Sequence, residues 1–302
     1  MIMRAAEAAS GKGIPDMRVI FVPVADRPEC AVALNKTFEL AGDLGATVVG
    51  CHIRPHTYSD VSLPSTLTDA AIGTDAEWRA AWKPRSKQQT APAARTLFAR
   101  LAERNGFDMH KTPRAKPGAI WMEKTGSPQR VIGIMGPISD LLVVSRPESR
   151  DGSIARLFLV SALMASSRPV LVLPQSGDWS VGKRICIAWN QSKDAALAVA
   201  SALPLLQLAQ HVSIVSSGPE NKPGPKSSQL AAYLKCWGVQ TERVSTKGSD
   251  DSKEILSAVR SMKSDLLVMG AYSRSRFSQM IFGGVTDYML NRASIPVLMR
   301  HS

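Results

Sequence analysis

Short apolar runs without polar alternation recur along this chain, each followed by a stretch whose apolar residues return every three to four positions. Runs of the first kind are strands buried on both faces, and stretches of the second kind are amphipathic helices. The pattern predicts strands over 18–24, 46–52, 119–123, 140–144 and 169–173, with helices over 31–44, 87–103, 128–135 and 154–166. Pro23, near the end of the first run, suits a strand terminus rather than a ladder interior. After a short polar linker, 175–182, the alternation restarts. Strands are predicted over 184–189, 212–216, 239–244, 266–269 and 296–300, with helices over 194–205, 227–237 and 252–263 and a last one opening at Gly283-Gly284. Strands alternating with helices are βαβ units, which build parallel sheets.

Two strand sequences occur twice. Asp140-Leu-Leu-Val-Val-Ser145 returns as Asp265-Leu-Leu-Val-Met-Gly270, and Pro169-Val-Leu-Val-Leu173 returns as Pro296-Val-Leu-Met-Arg300. This is an internal duplication of a compact α/β unit. It divides the chain into a tail, 1–16, a first domain, 17–175, and a second, 183–302. The tail lacks the apolar core of a signal peptide and reads as loose, or as residues upstream of a natural start at Met17. The first domain carries an excess near 53–90, rich in Ser, Thr, Pro and Asp. There Trp78 and Trp82 stand four apart on a short helix that covers a core edge.

Composition narrows the function. A chain of 302 residues with 44% hydrophobic content supports about two domains with real cores. No apolar run reaches the ~18 residues of a membrane span, so a cytoplasmic protein without a membrane partner is expected. The net charge of +12 is spread evenly over both halves. An even spread describes solvated faces rather than a basic arm, which argues against nucleic acid as a partner. A positive field would still draw in a nucleotide. Cys30, Cys51, Cys186 and Cys236 are scattered without a C-x-x-C pair and read as buried structural thiols. His52 and His56 have metal-like spacing but fall at a strand's end, so no metal site is expected.

Candidate chemistry gathers near the C-terminus. Gly270 stands at the carboxyl end of a buried strand, a polar loop follows, and Gly283-Gly284 opens the next helix. Open α/β sheets bind ligands at the carboxyl ends of their strands, and a Gly-rich helix start brings backbone N–H groups to an anion. The stretch is a candidate phosphate seat.

In this stretch the chain resembles the universal stress protein family in tandem two-domain form. Nucleotide-binding members carry Gly, two residues, Gly, nine residues, Gly, then Ser or Thr. Gly270 and Gly283 stand in register, Ser273 replaces the second Gly, and Gly284 replaces the hydroxyl residue. The resemblance covers nearly the whole chain after Met17. It implies two open parallel-sheet domains, Rossmann-like and adenine nucleotide alpha hydrolase-like, that pair with each other. A homodimer is a further expectation. It also implies a stress-response regulator that binds ATP or another adenine nucleotide, with Mg²⁺, in the second domain. Asn190 would stand near the ribose or base, main-chain atoms around Val215 would hold the adenine, and Gly270, Ser273, Gly283 and Gly284 would line the phosphates. Arg274 would add charge and Thr286 a hydroxyl. The Ser273 and Gly284 departures keep a second reading open, an interaction protein that binds no nucleotide.

The first half is expected to be blind to phosphate. Counting back from Pro169, Arg156 and Leu157 fall where Gly283 and Gly284 stand, and Ser145 falls on Gly270. Asp26, at the first strand's end, is the lone candidate there. Enzyme signatures are absent: there is no Walker A sequence, no G-x-G-x-x-G after a strand and no G-x-S-x-G elbow. No acid–base pair stands out at a strand end of the second half, so a dedicated catalyst is not expected.

Overall fold

The computed structural model describes residues 17–25, 28–54, 91–148, 152–176, 179–248, 250–271 and 284–302. In chain order the elements are β1 (Val19–Pro23), α1 (Pro28–Leu44), β2 (Thr47–Arg54), α2 (Ala91–Arg104), β3 (Met109–His110), β4 (Ala119–Thr125) and α3 (Pro128–Met135). There follow β5 (Leu141–Ser145), α4 (Gly152–Ala165), β6 (Val170–Leu173), β7 (Arg184–Ala188), α5 (Lys193–Leu208) and β8 (His211–Ser217). The last elements are α6 (Ser227–Cys236), β9 (Glu242–Thr246), α7 (Asp251–Ser261), β10 (Leu266–Gly270), α8 (Gly284–Arg292) and β11 (Val297–Arg300).

Among the described residues eleven strands join one sheet, in the order β3-β4-β2-β1-β5-β6-β11-β10-β7-β8-β9. Within each half the described pairs are parallel, and the halves meet edge to edge where β6 runs antiparallel to β11. The paired residues, 170–172 and 297–299, are apolar and fully buried, with Leu171 facing Leu298. Helices α1, α2, α5 and α6 cover one face and α3, α4, α7 and α8 the other, and each apolar layer runs unbroken through both halves. Because the joining pair is antiparallel, the strands of the two halves point in opposite directions. Their carboxyl ends therefore lie on opposite rims of the sheet.

The repeated aspartates have the same task in each half. Asp140 accepts hydrogen bonds from the Arg18 and Val19 amides at 2.8 and 2.9 Å, tying β5 to the start of β1. Asp265 accepts from the Arg184 and Lys183 amides at 2.8 and 3.0 Å and from the Ser180 hydroxyl at 2.6 Å, tying β10 to the start of β7. Each carboxylate satisfies amides that a strand end would leave bare.

Three expectations need correction. The strand predicted over 239–244 begins only at Glu242, because Val239 packs into the helical layer beside Leu234 instead. The linker is not merely polar: Trp179 is buried in the core, with the Lys36 ammonium 5.7 Å from its ring centre. The edge strand β3, two residues long, is too short to leave a periodic signal. Trp78, Trp82, His56 and the insertion at 55–90 lie outside the described residues, as does Asp26.

Candidate functional site

In the second half the strand order reverses between β7 and β10, so a crevice opens at their carboxyl ends. The chain leaving β7 makes one wall of it. The Trp189 indole is buried and donates to the Pro225 carbonyl at 2.9 Å. Asn190 is exposed on the rim, and its Oδ1 accepts the Ser192 amide at 3.2 Å in an Asx turn. Gln191 has a left-handed backbone, φ 62°, and a buried side chain. Its Nε2 donates to the Lys222 and Gly224 carbonyls, both at 3.0 Å, and its Oε1 accepts the Lys222 amide at 3.2 Å. A Cβ on Gly224 would stand 2.2 Å from the Gln191 carbonyl oxygen, so only glycine allows this approach.

The loop after β8 is thus clamped onto the tip of β7. Its other end is held by Glu220, whose Oε1 accepts the Ser216 hydroxyl at 3.0 Å and the Ser227 amide at 2.7 Å. Lys193, Lys222 and Lys226 are exposed around this rim, which gives it a positive field. Beside it, the Ser217 hydroxyl donates to Asp251 at 2.7 Å and to Glu254 at 3.2 Å, and the Thr246 hydroxyl also donates to Glu254. The Thr246 hydroxyl, foremost, holds the Glu254 carboxyl below its ordinary range.

The site residues expected from sequence divide in three. Asn190 and Gly284 face solvent. Gly284 is the first residue of α8, and among the described residues nothing stands within 4 Å of a Cβ built on it. Val215, Gly270 and Thr286 are engaged in the strand ladder or in packing. Val215 lies inside β8, and its carbonyl accepts the Trp189 amide at 2.8 Å, so an adenine held there would use the second lone pair of a ladder oxygen. Gly270 is a glycine because α5 lies against it: a Cβ would come within 2.6 Å of the Ala195 nitrogen and 2.7 Å of Asp194. Thr286 is buried on the stripe with Met289 and Leu290, which draws its hydroxyl in from the solvent side. Ser273, Arg274 and Gly283 lie outside the described residues.

A pair that the sequence did not advertise also stands here. Asp194, in the first turn of α5, accepts the Ser302 amide at 2.9 Å, and His301 Nδ1 lies 3.9 Å from the same oxygen. His301 Nδ1 also faces the Ala271 carbonyl at 3.2 Å. An acid and an imidazole therefore do meet at a strand end of this half, contrary to the sequence expectation. They come from opposite ends of its chain, so no local spacing signals them. Both are turned to main-chain partners, and the arrangement pins the residues after β11 over the start of α5.

The equivalent rim of the first half is built differently. Ser145 ends β5 where Gly270 ends β10, and the next residue is Arg146. Its guanidinium does not stay in its own half. Nη1 donates to the Ala293 carbonyl and Nη2 to the Ile295 carbonyl at 2.8 Å, both in the second half. Burial lowers the Arg146 pKa to about 10, which leaves it cationic at neutral pH. Helix α4 begins at Gly152, so Arg156 and Leu157 lie in its second turn and not at its start. The shorter loop moves the helix start forward, and a bulky Leu157 is no longer a reason for this half to be blind.

The cysteines also differ from one another. Cys51 and Cys186 are buried, and burial pushes each thiol up to about 12, so neither is a nucleophile. Cys236 is exposed and Cys30 half-buried, which corrects the reading of all four as buried. Among the described residues no group of three or more His, Cys, Asp or Glu could hold a metal, and no helix is long and apolar enough to cross a membrane.

Residues 182–301 match the model of the universal stress protein family. No curated protein matches the chain in sequence. Among solved structures, a universal stress protein from Archaeoglobus fulgidus DSM 4304 is 16% identical with a TM-score of 0.64, over 94% of this chain and 98% of that one. A putative universal stress protein from Pseudomonas aeruginosa UCBPP-PA14 is 15% identical with a TM-score of 0.58, over 94% of this chain and 93% of that one. At such identities these likenesses speak for the fold alone, and they span both halves. Residues 182–301 therefore carry a universal stress protein domain, and the first half shares the fold of universal stress proteins.

Proposed function

We propose that this chain is a stress-response regulator that binds ATP or another adenine nucleotide at the carboxyl rim of its second domain, and that it is not an enzyme. The supporting observation is the pairing of an exposed helix start at Gly284 with a preformed, lysine-rimmed wall at Asn190–Lys226. The first amides of a helix have no intrahelical partner and carry a partial positive charge, which suits phosphate oxygens. Asn190 offers an exposed amide for the sugar or base. The domains are 17–175 and 183–302, and the first leaves this ligand to the second. Binding acts by favouring one conformation or assembly, since a ligand moves an equilibrium only through differential affinity. Any hydrolysis is slow and incidental.

The second reading, an interaction protein without nucleotide, rests on Gly270 and Thr286, whose roles in packing leave the motif short of two contacts. Calorimetric titration of ATP and Mg²⁺ into the full chain, beside Gly283→Val, separates the two. Binding in the parent that is lost in a folded variant supports the regulator. No heat, together with no nucleotide released on denaturing the purified protein, leaves the interaction reading.

A further inference from the structure

Helix α8 carries the candidate phosphate seat at one end and a residue of the other half at its opposite end. It is nine residues long, about 13 Å at 1.5 Å per residue. Its own half holds it through one stripe, Thr286, Met289 and Leu290. Beyond its last turn, the carbonyls of Ala293 and Ile295 accept both terminal nitrogens of Arg146. A cation at the negative end of a helix is favourable, and one buried among carbonyls with no water to replace it is hard to remove.

Arg146 is itself fixed in the first half. Its amide donates to the Leu173 carbonyl at 2.7 Å, and its carbonyl accepts Gln175 Nε2 at 2.7 Å. The guanidinium is thus anchored at the seam beside β6, and α8 is clamped to that anchor. The equivalent position of the second half is Ala271, whose methyl group cannot reach back; Arg300 of β11 makes a longer contact in the other direction, its Nη2 3.5 Å from the Ser167 carbonyl after α4.

We propose that Arg146 is a positioning residue for the nucleotide site of the other half, setting the placement of α8 and coupling occupancy at its start, Gly284, to the first half. This rests on the nucleotide-binding reading above. A ligand that grips the start of α8 then needs α8 where Arg146 holds it. By reciprocity, ligand binding must tighten the contacts of Arg146.

The test uses the full chain with Arg146→Met, which keeps the length of the side chain and removes its donors, and Arg146→Lys, which restores a charge and one donor site. ATP and Mg²⁺ are titrated into each, and amide hydrogen exchange is followed with and without ATP. We expect Arg146→Met to weaken ATP binding about tenfold and Arg146→Lys to recover part of it. In the parent, ATP is expected to slow exchange over 170–176 as well as over α8. A merely structural role would not produce that response in the first half. A parent that binds ATP, with both variants folded and within twofold of it and no ATP response over 170–176, overturns the coupling and leaves the site reading intact. A parent that binds no ATP overturns both. If Arg146→Met does not fold, Arg146→Lys and the exchange response of the parent decide.

Discussion

The two halves share five strands in the same order and the same aspartate tie at the sheet's opposite rim, yet their carboxyl rims differ. In the second half, the crossing from β7 to α5 is shaped by Gln191, the loop after β8 is clamped, and α8 starts at an exposed Gly284. In the first half, the residue after β5 is an arginine spent on the seam between the halves. The duplication kept what the fold needs, the buried strands and their end ties. It left the carboxyl rims free to differ, because rim residues contribute little to the core. The two copies of a duplicated fold can thus keep one framework and build different rims on it.

The comparison is most sharply tested at the equivalent positions Gly270 and Ser145. Gly270→Val sets a side chain against the α5 backbone, where a Cβ already falls within 2.6 Å. It is expected to destabilise the protein by about 3 kcal/mol, the scale of severe overpacking. Ser145→Gly is expected to change stability by no more than ~1 kcal/mol. Chemical denaturation of both variants reads the difference, and equal effects would mean the two rims are built alike after all.

A smaller effect is expected from Gln191→Ala. It strands the Lys222 and Gly224 carbonyls and the Lys222 amide, and keeps a left-handed backbone on a non-glycine residue. A loss of about 2 kcal/mol follows if those groups find only partial solvation. Hydrogen exchange over 218–226 should rise while that of the first half stays unchanged.

The smallest effect is a pH dependence confined to the second half. Glu254 has a folded-state pKa below its ordinary 4.5, chiefly through the Thr246 hydroxyl. Its contribution to stability is full above that ordinary value and is lost as pH falls through the lower folded value. Thermal unfolding from pH 6 to pH 3 should show an acid limb that is flatter in Glu254→Gln. An unchanged limb would remove Glu254 from the account of how α7 is tied to β8 and β9.

Much of the fold was readable from residues alone. Leu141 to Val144 and Leu266 to Met269 are unbroken apolar runs because both faces of a parallel strand are covered, and periodicity reports that directly. The duplicated Asp-Leu-Leu-Val likewise announced the repeat before any coordinate. The candidate site was readable only in part. The structure places Asn190 on an exposed rim and Gly284 at the first position of α8. The packing roles of Gly270 and Thr286 were not readable, since a glycine looks the same in sequence whether a phosphate or a helix lies against it. Arg156 and Leu157 were misplaced because residue counting assumes equal loops, whereas α4 starts a turn earlier than its counterpart.

The sequence by itself determined the βαβ alternation and the duplication, because these depend on local periodicity and on recurring strings. Only the tertiary structure decided that β6 pairs with β11, that the two carboxyl rims face opposite ways, and that Asp194 meets His301. It alone showed that Arg146 crosses the seam to hold α8. Such contacts join residues far apart in the chain, and their energy depends on how whole layers dock, which no short window of sequence records.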